Sequence, residues 1–354
     1  MGFESSVWEA SRPPLKPRLL ADPQNDALSR RLGRFGGGAG GLGRDGARAK
    51  LARIVKGAPE VMVKVTGRQK GASHVQAHLD YISRKGKLAL DTRDGEVLDT
   101  TEDVADRRKE WTEMTPYWRQ KTTVCSVSMV FSMPEGTDPE IVKASVRAMA
   151  ESEIADAHDY VMALHTDTPR PHVHLTVRAR GDDGQRFDPR KADLFHFRER
   201  FAEELRARGV EAEATPRRAR AIGPKGRSMA LAKIRLRAKV SSGAISLSDI
   251  RLNQHAASVA TGMAQMPEFI ARAKERWSEI SGNYRAAAIE LAKSPESADR
   301  QLAAEVQAFL KDRSSISMGP ELLAQRYREA AKITKEDDKN KPVIRPGPVR
   351  SRSR

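Results

Sequence analysis

DYVMALHTDTPRPHVHLTVRA, residues Asp159–Ala179, alternates, turns, and alternates again. In the first half Tyr160, Met162 and Leu164 share one side, and Val161, Ala163 and His165 the other. In the second half Val173, Leu175 and Val177 face away from His172, His174, Thr176 and Arg178. Strand side chains repeat every second residue, so His172 and His174 share a face. Thr166–Pro171, with Asp167, Thr168 and Pro169, has turn chemistry and predicts an antiparallel hairpin. His165 then ends one strand close to where His172 begins the next. Two imidazoles from one strand and a third from its neighbour make a divalent-metal geometry. A lone histidine on such a face reads as a solvated residue. Here three of the chain's eight histidines fall within ten positions, and the metal reading prevails.

The chain has 354 residues, 31% of them charged, and a formal net charge of +16, which points to a polyanionic partner. Its one cysteine, Cys125, lies in an apolar strand-like run, which excludes a disulfide framework and implies a reducing compartment. No apolar run reaches the length of a membrane span, so no membrane insertion and a cytoplasmic location are expected.

Residues 1–56 read as a flexible basic leader without a core, broken by Pro13, Pro14 and Pro17 and by the glycine-rich run Gly36–Gly43. A strand is expected from Glu60 to Thr66. After Gly67–Gly71, Val75, Leu79 and Ile82 recur at helical spacing, with Ser73 as cap and Gly86 as stop. Tyr81 falls on the flank of that helix with His74 and His78, where periodicity alone reads it as a ring packed at the core edge. A helix over Glu102–Trp118 and a central strand over Thr123–Ser132 follow. Asp138 as N-cap and Pro139 at the first helical position open another helix. Phe195–Arg208 predicts a last helix, stopped by Gly209. This order predicts an α+β fold, a largely antiparallel sheet with helices mainly on one face and the other open as a cleft floor.

Several ordered motifs resemble the conjugative relaxases, the mobilisation nucleases of the His-hydrophobic-His superfamily. HTDTPRPHVHLTV (His165–Val177) is similar to their third motif. LDYISRKGKLAL (Leu79–Leu90) is similar to their first, particularly in the T-DNA border endonuclease branch, and FSMPEGT (Phe131–Thr137) to their second. RFDPRKADLFHFRERFAEELRARGVEAEAT (Arg186–Thr215) resembles the end of their nuclease domain. The resemblance covers about residues 58–220 and departs in the long leader. It implies nicking of one strand at an origin of transfer, by attack of a tyrosine hydroxyl on the scissile phosphate. By position, Tyr81 is the implied nucleophile, and His165, His172 and His174 hold a divalent ion, Mg²⁺ or Mn²⁺. Asp167 is the implied acidic partner, orienting a histidine or assisting proton removal, and Ser132 contacts DNA near the nick.

Basic residues beside these motifs fit a DNA path: Arg84, Lys85 and Lys87 after Tyr81, Arg178 and Arg180 on the histidine strand, Arg190 and Lys191 beyond the turn. Residues 57–221 are thus expected to form the nicking domain, 222–336 a helical C-terminal region and 337–354 a disordered basic tail. Expected partners are single-stranded or supercoiled origin DNA, an accessory DNA-binding mobilisation protein and a type IV secretion coupling protein reading the acid-free end Arg350–Arg354. Export with the transferred strand would follow. The competing readings are a rolling-circle replication initiator of the same superfamily and a non-catalytic basic scaffold.

Overall fold

The structure, a computed structural model, describes residues 44–113, 122–220, 245–311 and 319–340, with residues 233–237, 240 and 313. The run Gly36–Gly43, Tyr117, Trp118 and the basic tail lie outside the described residues.

The hairpin forms over the expected residues. Its strands run Tyr160–His165 and His172–Arg178, with His165 directly opposite His172. In chain order the first compact unit runs α1 (Arg44–Val55), β1 (Met62–Lys70), α2 (Gly71–Ile82), β2 (Leu90–Thr92), β3 (Val97–Leu98), α3 (Thr101–Glu113), β4 (Val124–Ser132), α4 (Pro139–Glu153), β5 (Tyr160–His165), β6 (His172–Arg178) and α5 (Lys191–Ala207). The six strands form one antiparallel sheet in the order β1-β4-β6-β5-β2-β3, so the α+β expectation holds. β6 lies between β4 and β5, deep in the sheet.

Local chemistry accounts for most element ends. The Asp138 carboxylate accepts from the Glu140 amide at 2.9 Å and Pro139 follows, which opens α4 as expected. α5 starts four residues before Phe195 because the Asp193 carboxylate accepts from the Arg190 amide at 2.7 Å. β1 does not stop at Thr66. Thr66 is the extra, unpaired residue of a bulge, Gly67 pairs with Ser128, and the strand continues to Lys70. A Cβ at Gly67 would sit 2.7 Å from Gln69 Nε2 and 3.1 Å from Ser128 Oγ, so glycine lets these side chains close over β1 there and does not end the strand. α2 accordingly starts at Gly71, and Ser73 does not cap it.

The sheet carries helices on both faces, which corrects the expected open face. Val127, Met129, Phe131, Met162, Val173, Leu175 and Val177 pack with Val142, Val146 and Met149 of α4 and Phe197, Phe201 and Leu205 of α5. On the other side Val75, Leu79 and Ile82 of α2 and Val104 and Trp111 of α3 pack with Leu90, Val161 and Ala163. Each fully buried side chain of this size contributes about 1.5–3 kcal/mol. The Trp111 indole donates to Asp159 at 2.6 Å, which pins α3 to the start of β5.

The end of the expected leader is also corrected. Ala47, Leu51 and Ile54 of α1 recur at i, i+4 and i+7 and are buried. Arg53 pairs with Glu213 at 2.8 Å, and Lys50 with Glu199 at 3.6 Å. Three apolar positions in a basic twelve-residue helix carry little periodic signal; tertiary burial holds it.

Beyond the expected boundary near Ala221 the division is not linear. Asn283–Phe309 belongs with the residues up to Arg220, and residues 221–282 and 310–354 make up the other unit. Four helices with full bounds follow, α6 (Leu247–Ala260), α7 (Glu268–Ala292), α8 (Ser297–Lys311) and α9 (Gly319–Asn340), and Ser294-Pro295 separates α7 from α8. Tyr284, expected outside the nuclease fold, is fully buried and donates its hydroxyl to the Ala219 carbonyl at 2.9 Å. In the second unit Ala256 and Val259 of α6 pack with Leu323 and Ala324 of α9. No helix among the described residues is long and apolar enough to cross a membrane.

Truncating Leu51 tests whether α1 is part of the core. Leu51→Ala should lower the unfolding free energy by about 2–4 kcal/mol in urea titration. An unchanged midpoint would mean that α1 does not hold the unit together.

Candidate active site

The register of β5 on β6 makes the site. His165 and His172 are cross-strand partners, and His174 follows on the same face. One ring nitrogen from each lies within 4.8 Å of the others. Ring centroids are 5.3 Å apart for His165–His172, 4.5 Å for His165–His174 and 5.3 Å for His172–His174.

Backbone carbonyls only accept, so they assign the tautomers. His165 Nε2 donates to the Ile82 carbonyl at 2.8 Å, which leaves the lone pair on Nδ1. His172 Nδ1 donates to the Arg170 carbonyl at 3.1 Å, which leaves Nε2. Both nitrogens of His174 are buried without a hydrogen-bond partner. An orphaned buried imidazole is costly unless something binds it, and a cation is what a neutral imidazole binds. Burial pushes His174 down to about 3 and lowers His165, so both stay neutral with lone pairs available. These residues fit a divalent ion.

Tyr81 lies on the last turn of α2, and its side is 54% exposed rather than packed away. Its ring meets His174 edge-on, with centroids 5.7 Å apart at 88°, and His165 at 6.3 Å. The carboxyl end of α2 is held there by the Ile82–His165 bond. Arg84 and Lys85 follow with φ of 55° and 59°, a left-handed turn without glycine that costs about 1–2 kcal/mol per residue. It brings the Arg84 guanidinium carbon to 5.4 Å from the Tyr81 ring centroid. Arg84 Nη2 donates to His165 Nδ1 at 3.2 Å and also pairs with Asp167. Asp167 therefore reaches His165 through a guanidinium, where a direct carboxylate–imidazole contact was one expectation.

The other expected residues separate into two places. Ser132 is opposite His172 on β4, 7% exposed, with Oγ donating to the Met133 carbonyl at 3.3 Å. Lys85 and Lys87 are exposed in the turn after Tyr81. Arg178 ends β6, roughly 20 Å along the strand from His172. Arg180, just beyond it, and Arg190 and Lys191 are exposed at that same far end, where Arg68 bonds Asp188 and the Pro189 carbonyl. They do not join the histidine cluster.

His78 belongs beside the site, although sequence reasoning did not place it there. Its Nε2 is 2.9 Å from Thr176 Oγ1, and its ring is 6.5 Å from that of Tyr81. The available signal was its i, i+3 relation to Tyr81 on the helix flank.

Residues 81–210 match the family model described as "Relaxase: MobA/VirD2-like, nuclease domain". This segment is similar to the nuclease domain of the MobA/VirD2-like relaxases. The match opens on Tyr81 and contains all three histidines of the cluster. A solved structure described as "Molecular Basis of Vancomycin Resistance Transfer in Staphylococcus aureus" is 15% identical over 45% of this chain and 99% of its own, with a TM-score of 0.30. No curated protein matches the chain.

Burial of the histidines at this site sets a pH dependence. His78 is pushed down by burial to about 4 from an ordinary 6.5, and His174 to about 3. Between 6.5 and these values the unfolded chain binds more protons than the folded one, so stability falls as pH falls through that window. The urea midpoint of the metal-free protein should drop from pH 6.5 to pH 4, and His78→Gln should reduce the drop. An identical pH profile for wild type and variant would exclude His78 as a contributor.

Proposed function

We propose that the chain is a metal-dependent relaxase that nicks one DNA strand at an origin of transfer through a 5′-phosphotyrosine on Tyr81, with residues 57–221 as the nicking domain. One observation carries this reading: the exposed Tyr81 ring lies edge-on to a neutral histidine cluster whose buried His174 nitrogens lack a partner. His165 Nδ1, His172 Nε2 and one nitrogen of His174 would hold the ion, Mg²⁺ or Mn²⁺. When bound, it supplies charge neutralisation at a nonbridging phosphate oxygen, and neutral imidazoles leave it the full positive charge for that task.

The chain's own residues supply the rest. A tyrosine hydroxyl is a weak nucleophile while protonated, and a cationic surrounding at Tyr81 would help it lose its proton as it attacks. Its oxygen forms a bond to phosphorus as the bond to the 3′ oxygen breaks. The phenolic proton passes to solvent, and the departing oxygen takes a proton to become a 3′-hydroxyl. Phosphorus remains a diester, with the 5′ ester retained and the Tyr81 ester in place of the 3′ one, so the 3′-hydroxyl can reverse the step and reseal the strand. Ser132, Lys85 and Lys87 are proposed to contact the strand near the nick. Arg178, Arg180, Arg190 and Lys191 are proposed to engage phosphates further along it. An accessory mobilisation protein and a type IV coupling protein are the proposed partners, the latter on the charge of Arg350–Arg354. A cytoplasmic location is proposed, with export alongside the transferred strand.

Tyr81→Phe removes one oxygen and keeps the ring. With a supercoiled plasmid carrying the DNA next to its own gene, it should nick at least about 10⁴-fold more slowly and form no covalent adduct. Mass spectrometry of the wild-type adduct should place the nucleotide within Leu79–Arg84. An adduct on Tyr160, buried on the opposite face, would overturn the assignment, and no adduct at all would favour a scaffold.

Chelation should abolish nicking, and calorimetry should show Mn²⁺ binding lost from the His172/His174 double alanine variant. Equal Mn²⁺ binding by wild type and variant would place the metal elsewhere.

A further inference from the structure

Arg84 is tied to the cluster at a point that a metal ligand must surrender. A guanidinium has five donors, no acceptor and a permanent proton complement, so its 3.2 Å contact with His165 requires the lone pair of Nδ1. The opposite nitrogen, Nε2, is committed to the Ile82 carbonyl. His165 has one lone pair and two claimants. Both hydrogens of Arg84 Nη2 are engaged, one by His165 and one by Asp167. Among the described residues, the Nη1 and Nε hydrogens have no protein acceptor and remain open to phosphate oxygens. Two successive left-handed residues without glycine aim this side chain over the Tyr81 ring. A turn built only for compactness would use glycine there, as it does at Gly86 with φ of 77°.

We propose that Arg84 is a catalytic cation with two positions. In the metal-free protein it occupies His165 Nδ1 and compensates the cluster. When His165 Nδ1 is given over to a divalent ion, the guanidinium is released towards the scissile phosphate, still tethered by Asp167 and stacked on Tyr81. There it contacts a nonbridging oxygen and offsets the negative charge that builds up as the Tyr81 oxygen attacks. Asp167 is then a positioning residue for Arg84. This inference rests on the relaxase reading above and deepens it by naming a second charge at the reacting phosphate and a built-in competitor for the metal.

The two roles make metal affinity and turnover move in opposite directions, which a merely structural role would not do. In full-length protein, Arg84→Gln removes the competitor and a nearby positive charge, so calorimetry with Mn²⁺ alone should show roughly tenfold tighter binding. At saturating Mn²⁺ the same variant should nick the plasmid roughly 10²–10³-fold more slowly. Its affinity for a single-stranded oligonucleotide should change by no more than about threefold. Arg84→Lys, which keeps the charge without the planar fork, should recover part of the nicking rate. Unchanged or weaker Mn²⁺ binding by Arg84→Gln would overturn the competition. A loss confined to oligonucleotide affinity would reduce Arg84 to an ordinary phosphate contact and overturn the catalytic role. Wild-type nicking by Arg84→Gln would sink this inference and leave the relaxase reading standing, whereas no Mn²⁺ binding by the wild-type chain would overturn both.

Discussion

The hydrogen bond from His165 Nε2 to the Ile82 carbonyl, 2.8 Å long and buried, joins the two halves of the site. It satisfies one of the carbonyls that every helix leaves unpaired at its carboxyl end. It fixes where α2 stops against β5, and hence where Tyr81 lies relative to the histidines. It also assigns the His165 tautomer and leaves Nδ1 for a cation. The end of α2, the placement of Tyr81 and the free nitrogen of His165 thus depend on a single contact between residues 83 positions apart.

The sheet protects this arrangement by burying both of its faces. α4 and α5 cover one side with a continuous apolar cluster, and α2 and α3 cover the other around Val161 and Ala163. The histidines sit where that second layer ends, so their rings are partly desolvated while Tyr81 remains accessible. Burial disfavours the imidazolium form, which suits ligands that must stay neutral in a chain of net charge +16. Positive charge beside the cluster comes instead from the guanidinium of Arg84.

The placement of the basic residues follows from the strand rise. His172 and Arg178 share a face of β6 but lie at opposite ends of it, so one strand carries both the candidate metal ligands and the start of a distant cationic patch. A strand of DNA is long enough to visit both. The relaxase nuclease match spans residues 81–210 and takes in β4, β5, β6 and the start of that patch.

Period-two alternation and turn chemistry by themselves determined the hairpin, its ends at His165 and His172, and the shared face of His172 and His174. Helical spacing determined the buried stripe of α2, and local capping determined the start of α4. These features are set by residues within a few positions of one another, which is why they were legible. Tertiary structure decided the rest. α1 is held by burial and by Glu199 and Glu213, more than 140 residues away, and Tyr284 finds its acceptor 65 residues back at Ala219. That β1 runs through Gly67 depends on what β4 presents beside it, and that both sheet faces are covered depends on which side α2 takes. The union of Arg84, Asp167 and His165 needed the turn after α2 to meet the turn after β5, a contact that no local pattern encodes because its energy appears only once the sheet has formed.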